Sequence, residues 1–224
     1  MTTKNLSVCI RVHPRPNRFL LIALLAATAA FAADTPRLVF TKSFPGSNPA
    51  YFSVTVDRSG KVAYTESPTD EPDTFQMEPD AVRIMFDLAD KLDHFKVHLE
   101  SGLKVANMGA KTLRWENGAE TSEAKYNYSL DENARGLQVW FESISDSQRI
   151  YLELARAIRH DKLGVHQALL RVQALWDQKH LVGTEQFLPI LDKVAKDDTF
   201  IHMAQERAAQ LGEAIRARAK AKAE

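Results

Sequence analysis

The side chains in this sequence best suited to chemistry are histidines and carboxylates, and their spacing sets what they could do. His94 and His98 stand four apart in Asp93-His94-Phe95-Lys96-Val97-His98, the separation at which a helix presents two imidazoles to one metal ion. The glutamate of an H-E-x-x-H site is missing. The pair also falls where a helix should be ending, and a histidine there is favoured by the negative helix terminus without any metal. His160 and His166, with Asp161 between them, flank a second helix junction before Gly164 and read the same way. These four histidines are the metal-ligand candidates, and helix-end packing is the simpler account of each.

The carboxylates gather in Glu66 to Asp80, ESPTDEPDTFQMEPD, which holds six acids, three prolines and no base. Calcium takes six to eight oxygen ligands, which such a run could supply. Pro68, Pro72 and Pro79 and the absence of a D-x-D-x-D-G loop favour an exposed connector instead. No G-x-S-x-G turn offers a serine nucleophile, and neither G-x-G-x-x-G nor G-x-x-x-x-G-K-[ST] offers a phosphate cradle. No catalytic residue and no cofactor-binding residue is therefore assigned, and no cofactor is expected.

Where the chain operates is set by Phe19 to Ala33, FLLIALLAATAAFAA. Arg11, Arg15 and Arg18 precede this apolar run, and Ala30-Phe31-Ala32 matches the A-x-A pattern of an export signal, so cleavage is expected after Ala32 or Ala33. A retained anchor is the alternative, although a spanning helix needs about 20 apolar residues and this run is shorter. Removing residues 1–33 takes away Lys4, Arg11, Arg15, Arg18 and Cys9 and no acid. The mature chain then has 25 basic against 29 acidic side chains and no cysteine. A net charge of about −4 lacks the basic stripe that nucleic acid needs. The missing thiol excludes disulfides, thiol catalysis and thiolate metal sites. With no second long apolar run, no membrane span is expected after cleavage, and the product should be soluble in the periplasm or outside the cell.

The elements that position these residues follow from periodicity. Phe52, Val54 and Val56 alternate with polar neighbours, as do Val62 and Tyr64, and Asp57-Arg58-Ser59-Gly60 between them has turn composition. Leu38-Val39-Phe40 adds a strand. Pro79 suits a first helical position, and Val82, Met85, Phe86, Ala89 and Leu92 form one helical face ending near Phe95. Leu113 and Trp115, then Asn117-Gly118, then Ala124, Tyr126, Tyr128 and Leu130 predict a second hairpin through a type I′ turn. Beyond Asp131 the period becomes 3.6. Helices are expected around Leu137 to Ile144, Ile150 to Ile158, Val165 to Trp176, Phe187 to Val194 and Met203 to Ile215, with Ser145 or Asp146, Thr184, and Asp197 or Asp198 as caps. Core packing explains Trp115, Tyr126, Tyr128 and Trp140. The tail with Arg216, Arg218, Lys220 and Lys222 reads as a solvated helix end.

The expected fold is α+β: an antiparallel sheet of about five strands from two hairpins with one packed helix, followed by an all-helical C-terminal bundle. The expected organisation is a signal peptide over 1–33, a sheet domain over 34–131 and a helical region over 132–224. Leu188-Pro189-Ile190-Leu191, the aspartate at 198, Ala208, Leu211-Gly212-Glu213 and Ile215 together resemble a single HEAT-type helical hairpin over about 184–216. That resemblance implies an interaction surface and a protein partner for the C-terminal helices. The whole chain also resembles exported bacterial proteins of unassigned function. Two readings of function remain: a non-catalytic interaction or binding protein of the bacterial cell envelope, or an exported hydrolase or metal-dependent enzyme whose site is assembled from distant residues.

Overall fold

The computed structural model describes residues 35–223, so the expected leader over 1–33 lies outside the described residues. From Thr35 on, the chain forms one compact unit. Its architecture is α+β, with a fully antiparallel sheet and helices after it.

Among the described residues the sheet has six strands, one more than expected: β1 (Arg37–Ser43), β2 (Tyr51–Asp57), β3 (Lys61–Thr65), β4 (Asp73–Gln76), β5 (Ala110–Asn117) and β6 (Glu120–Tyr126), in the order β4-β3-β2-β1-β5-β6. The additional strand is β4, which lies inside the acidic stretch read as a connector. Only Phe75 of its four residues is buried, so period-two alternation over so short a run is almost invisible. Asp57 turns the first hairpin as expected. Its Oδ1 accepts from the backbone N–H groups of Ser59 at 2.9 Å and Lys61 at 3.0 Å, and Gly60 takes φ +86°. The second hairpin is correctly placed, but its turn is shifted by one residue. Asn117 still pairs with Glu120, so the two central residues are Gly118 and Ala119. Gly118 takes φ +59° while Ala119 is not in the positive-φ region, which excludes the type I′ turn, whose two central residues both need positive φ.

One face of the sheet is dry. Phe40, Phe52, Val54, Val56, Tyr64, Leu113 and Trp115 bury against α1 (Pro79–Lys91) and the first half of α2 (Glu132–His160). The alternate positions remain wetter, as an antiparallel sheet with one covered face requires. Pro79 starts α1 as expected. That helix stops at Lys91, four residues short of Phe95, because Asp93, His94 and Phe95 all adopt positive φ of 47°, 52° and 66°. Left-handed backbone in three consecutive side-chain-bearing residues costs of order 1 kcal/mol each. Offsetting contacts surround it: Phe95 is buried, the His94 ring stacks on Trp115 at 4.1 Å, and the Ser122 hydroxyl donates to the His94 carbonyl.

Beyond Asp131, whose carboxylate caps the backbone N–H groups of Asn133 and Ala134, the two expected helices are one. Ser145 and Asp146 sit mid-helix in α2 rather than at a cap. The apolar rows 137, 141, 144 and 154, 158 join through Gln148 without glycine or proline between them, so nothing interrupts the helix. The Ser145 hydroxyl instead meets the Tyr64 hydroxyl at 3.2 Å, and the Ser147 hydroxyl accepts from the Val182 backbone N–H at 3.0 Å.

Helix α3 (Val165–Asp177) ends six residues before Gly183. Thr184 does not cap the next helix. It begins a short 3-10 turn, Thr184–Phe187, that runs into α4 (Leu188–Lys196), and its hydroxyl donates elsewhere, to Glu78. The Asp197 carboxylate accepts from the Thr199 backbone and hydroxyl in the loop ahead of α5 (His202–Ala223) and caps no helix N–H, while its backbone carbonyl accepts from the Gln205 side chain of α5 at 3.0 Å. A second hydrophobic cluster, with Leu154, Leu169, Val172, Phe187, Leu191 and Leu211, holds these helices together. The tail is exposed from residue 217 to 222, as expected, yet it makes contacts along the surface. Arg216 clamps both oxygens of Asp192 at 2.6 Å, Arg218 covers the Trp176 ring at 5.2 Å, and Lys222 lies 3.8 Å from Asp80.

Candidate functional site

The four histidines do not converge. The i, i+4 argument for His94 and His98 needs a helix through both, and the helix has already ended at Lys91. His94 Nε2 lies 2.9 Å from Asp90 Oδ1 with its ring against Trp115, whereas His98 is exposed beside β6. His160 is the exposed last residue of α2, and His166 is the second residue of α3, its Nδ1 buried and without a hydrogen-bond partner among the described residues. Among the described residues no group of three or more histidine, cysteine, aspartate or glutamate side chains is gathered closely enough to hold a metal ion.

The acidic stretch, by contrast, is brought to a site. The loop after β3 and the start of β4 face the second half of α2 and the middle of α3 across an open cleft of about 910 Å³. Its sheet side carries Tyr64, Glu66, Asp70, Glu71 and Asp73. The helix side carries Asp146, Arg149, Glu153 and Arg156 from α2 and Arg171 from α3, with Ile150, Leu152 and Leu175 between them. On α2 these positions recur at intervals of three and four, so one helical stripe presents them all.

Two ion pairs hold the cleft in shape. Arg149 reaches across it to Glu66 at 3.2 Å and to Asn48 Oδ1 at 3.1 Å, and Arg171 joins α3 to Glu153 of α2. Beneath them Tyr64 is almost fully buried, its hydroxyl donating to Glu66 at 2.8 Å. Burial raises the Tyr64 phenol above its ordinary value, so it stays protonated and remains a donor. Surrounding protein also pushes the Asp146 carboxyl up, against the pull of Arg149. The side chains of Arg156, Glu71 and Asp73 have no hydrogen-bond or ion-pair partner among the described residues. Sequence reasoning missed this cleft. The one signal available was Arg149 and Arg156 seven apart, two helical turns on one face, but nothing in the sequence says that the acidic stretch lies opposite.

Two other polar features are structural. Glu78, at the start of α1, accepts from the Gly183 backbone N–H at 3.0 Å, the Thr184 N–H at 2.8 Å and the Thr184 hydroxyl at 2.7 Å, tying the sheet side to the turn before α4. Burial alone would raise its carboxyl, but these donors outweigh burial and hold it below the ordinary glutamate value. Gly183 permits this approach. It takes φ +60°, and a Cβ there would lie 2.5 Å from the Phe75 ring. Lys111, 3% exposed, donates to the carbonyls of Met108 at 3.1 Å, Gly109 at 3.3 Å and Asn127 at 2.7 Å, and so fixes the segment leading into β5.

Fold and site together define an α+β protein with a charged cleft between the sheet end and its C-terminal helices. Comparison with known proteins gives no match to any family model, curated protein or solved structure. Among the described residues no helix is long and apolar enough to cross a membrane.

Proposed function

We propose that this is an exported binding protein of the cell envelope, non-catalytic, which engages its ligand in the cleft between the acidic loop and α2 and α3. The observation that carries the reading is the cleft itself. At about 910 Å³ it lies within the size range of ligand sites, and charged groups of both signs converge on it from four parts of the chain. Its helix wall is formed by α2 and α3, and the HEAT-type resemblance over about 184–216 lies outside it, on α4 and α5.

Thermal-shift screening of the purified mature protein tests the binding half. A ligand at a hundred times its Kd stabilises by about 2.7 kcal/mol, which for a chain of this size raises Tm by roughly 5–10 °C. The expected result is such a shift, abolished by Arg149→Ala. A broad library of charged and neutral small molecules and peptides that leaves Tm unmoved would remove the cleft as the binding site. Export is tested by intact mass: the mature chain should begin after Ala32 or Ala33, and recovery of the full-length chain from the cytosol would overturn it.

The second reading, an exported hydrolase or metal-dependent enzyme, is favoured by Asp146. A carboxyl held above its ordinary value in a cleft is suited to donating a proton. On that reading a ligand found by the screen would be turned over, and Asp146→Asn would stop turnover while leaving binding intact.

A further inference from the structure

The two walls of the cleft differ in sign, and that difference specifies a ligand. The sheet wall carries four carboxylates, Glu66, Asp70, Glu71 and Asp73, and no base. All three bases of the lining are arginines on the helix wall. Pairing has already consumed part of this charge, because Arg149 is engaged by Glu66 and Arg171 by Glu153. What remains without an ion pair or hydrogen bond among the described residues is mostly acidic: Glu71 and Asp73 on the sheet wall, and Asp146 beside Arg156 on the helix wall. A plain anion would meet six carboxylates, and a plain cation would leave Arg156 unanswered. A guanidinium fork suits a planar carboxylate, and exposed carboxylates suit ammonium groups. Ile150, Leu152 and Leu175 belong to the helix wall and offer apolar contact to the body of the ligand.

We infer that the cleft takes a short basic peptide with both termini free, its C-terminal carboxylate on Arg156 and its ammonium groups on Glu71 and Asp73. This rests on the reading of the cleft as a binding site and adds the class of ligand. The excess of carboxylates over guanidiniums in the lining, six against three, sets the net positive charge of the peptide.

The test uses tri-lysine, its C-terminal amide and its N-acetyl form, titrated into the mature protein and followed by calorimetry and by backbone amide shifts. Tri-lysine should bind with shifts confined to the cleft. Amidation should weaken it roughly five- to tenfold, Arg156→Ala should do the same, and the two together should cost no more than either alone. N-acetylation should pair in the same manner with Glu71→Gln and Asp73→Asn combined. Arg156, Glu71 and Asp73 are unpartnered, so these variants should fold as the parent does, which the amide spectrum verifies. Equal binding of acid and amide, with shifts still in the cleft, would overturn the zwitterionic assignment and leave the site standing. Absence of binding, or shifts elsewhere, would overturn the peptide assignment. The cleft reading itself falls only if the thermal screen also fails.

Discussion

Replacing Phe141 with alanine is expected to remove about 3–5 kcal/mol of stability. Phe141 is 0% exposed, and its ring stacks on Phe40 at 5.0 Å and 11°, while Phe40 in turn leans on Phe52 at 5.7 Å. The aromatic column joins α2 to the middle of the sheet, where neighbours from two strands and a helix cannot all move inward to fill a void. A chain of this kind has only about 5–15 kcal/mol in total, so the variant should lose a large share of it. Urea melting gives the value. Val139→Ala, two residues away on the same helix but 49% exposed, is the control and should change stability by no more than about 0.5 kcal/mol. If the Phe141 variant lost less than about 1.5 kcal/mol, the column would not be the joint between the helix and the sheet.

The second large effect is expected at Glu78. Its carboxylate satisfies two backbone N–H groups and one hydroxyl near Gly183, more than a hundred positions along the chain. Glu78→Ala should cost about 3 kcal/mol at neutral pH, because hydrogen bonds to a charged acceptor are lost and their donors are left partly buried. The effect depends on pH in a defined direction. The folded carboxyl titrates below its ordinary value of 4.5, so its contribution is complete above that value and disappears as pH falls through the lower folded value. The gap in urea midpoint between parent and variant should therefore be constant from neutral pH down to the ordinary value of 4.5 and narrow as pH falls below it. A gap that persisted undiminished in acid would show that the loss arises from packing rather than from the carboxylate. Glu78→Gln, which keeps one acceptor oxygen, should fall between the two.

Periodicity made most of the architecture legible. Alternation at 52–56, 61–65 and 111–116 marks real strands because one sheet face is dry, and Pro79 marks a real helix start. Three failures have separate physical causes. Strand β4 escapes periodicity because Asp73, Thr74 and Gln76 are polar and a single phenylalanine carries its burial. Helix α2 reads as two because Ser145 and Asp146 have cap composition, whereas Ser145 spends its hydroxyl on a tertiary contact with Tyr64. Helix α1 reads too long because the left-handed turn at 93–95 is supported by Trp115 and Ser122, residues distant in sequence. The cleft was the least legible part. Its two walls come from residues 48–73 and 146–175, and only the antiparallel order of the sheet sets one against the other. The acids of the supposedly solvated run that line the cleft are exposed, as expected, but the arginines of α2 and α3 lie across the cleft from them.

Helix α2 is 29 residues long, about 44 Å at 1.5 Å per residue, and it contributes Leu137, Phe141 and Ile144 to the core against the sheet and Leu154 and Ile158 to the core among the helices. Severing the protein where strands give way to helices, at residue 131, would strip Phe40 of its stacking partner and hand a free fragment an open greasy floor. Shuffling either half onto another scaffold should therefore yield aggregates, and heirs of this sequence can lengthen its loops far more freely than they can trade its halves.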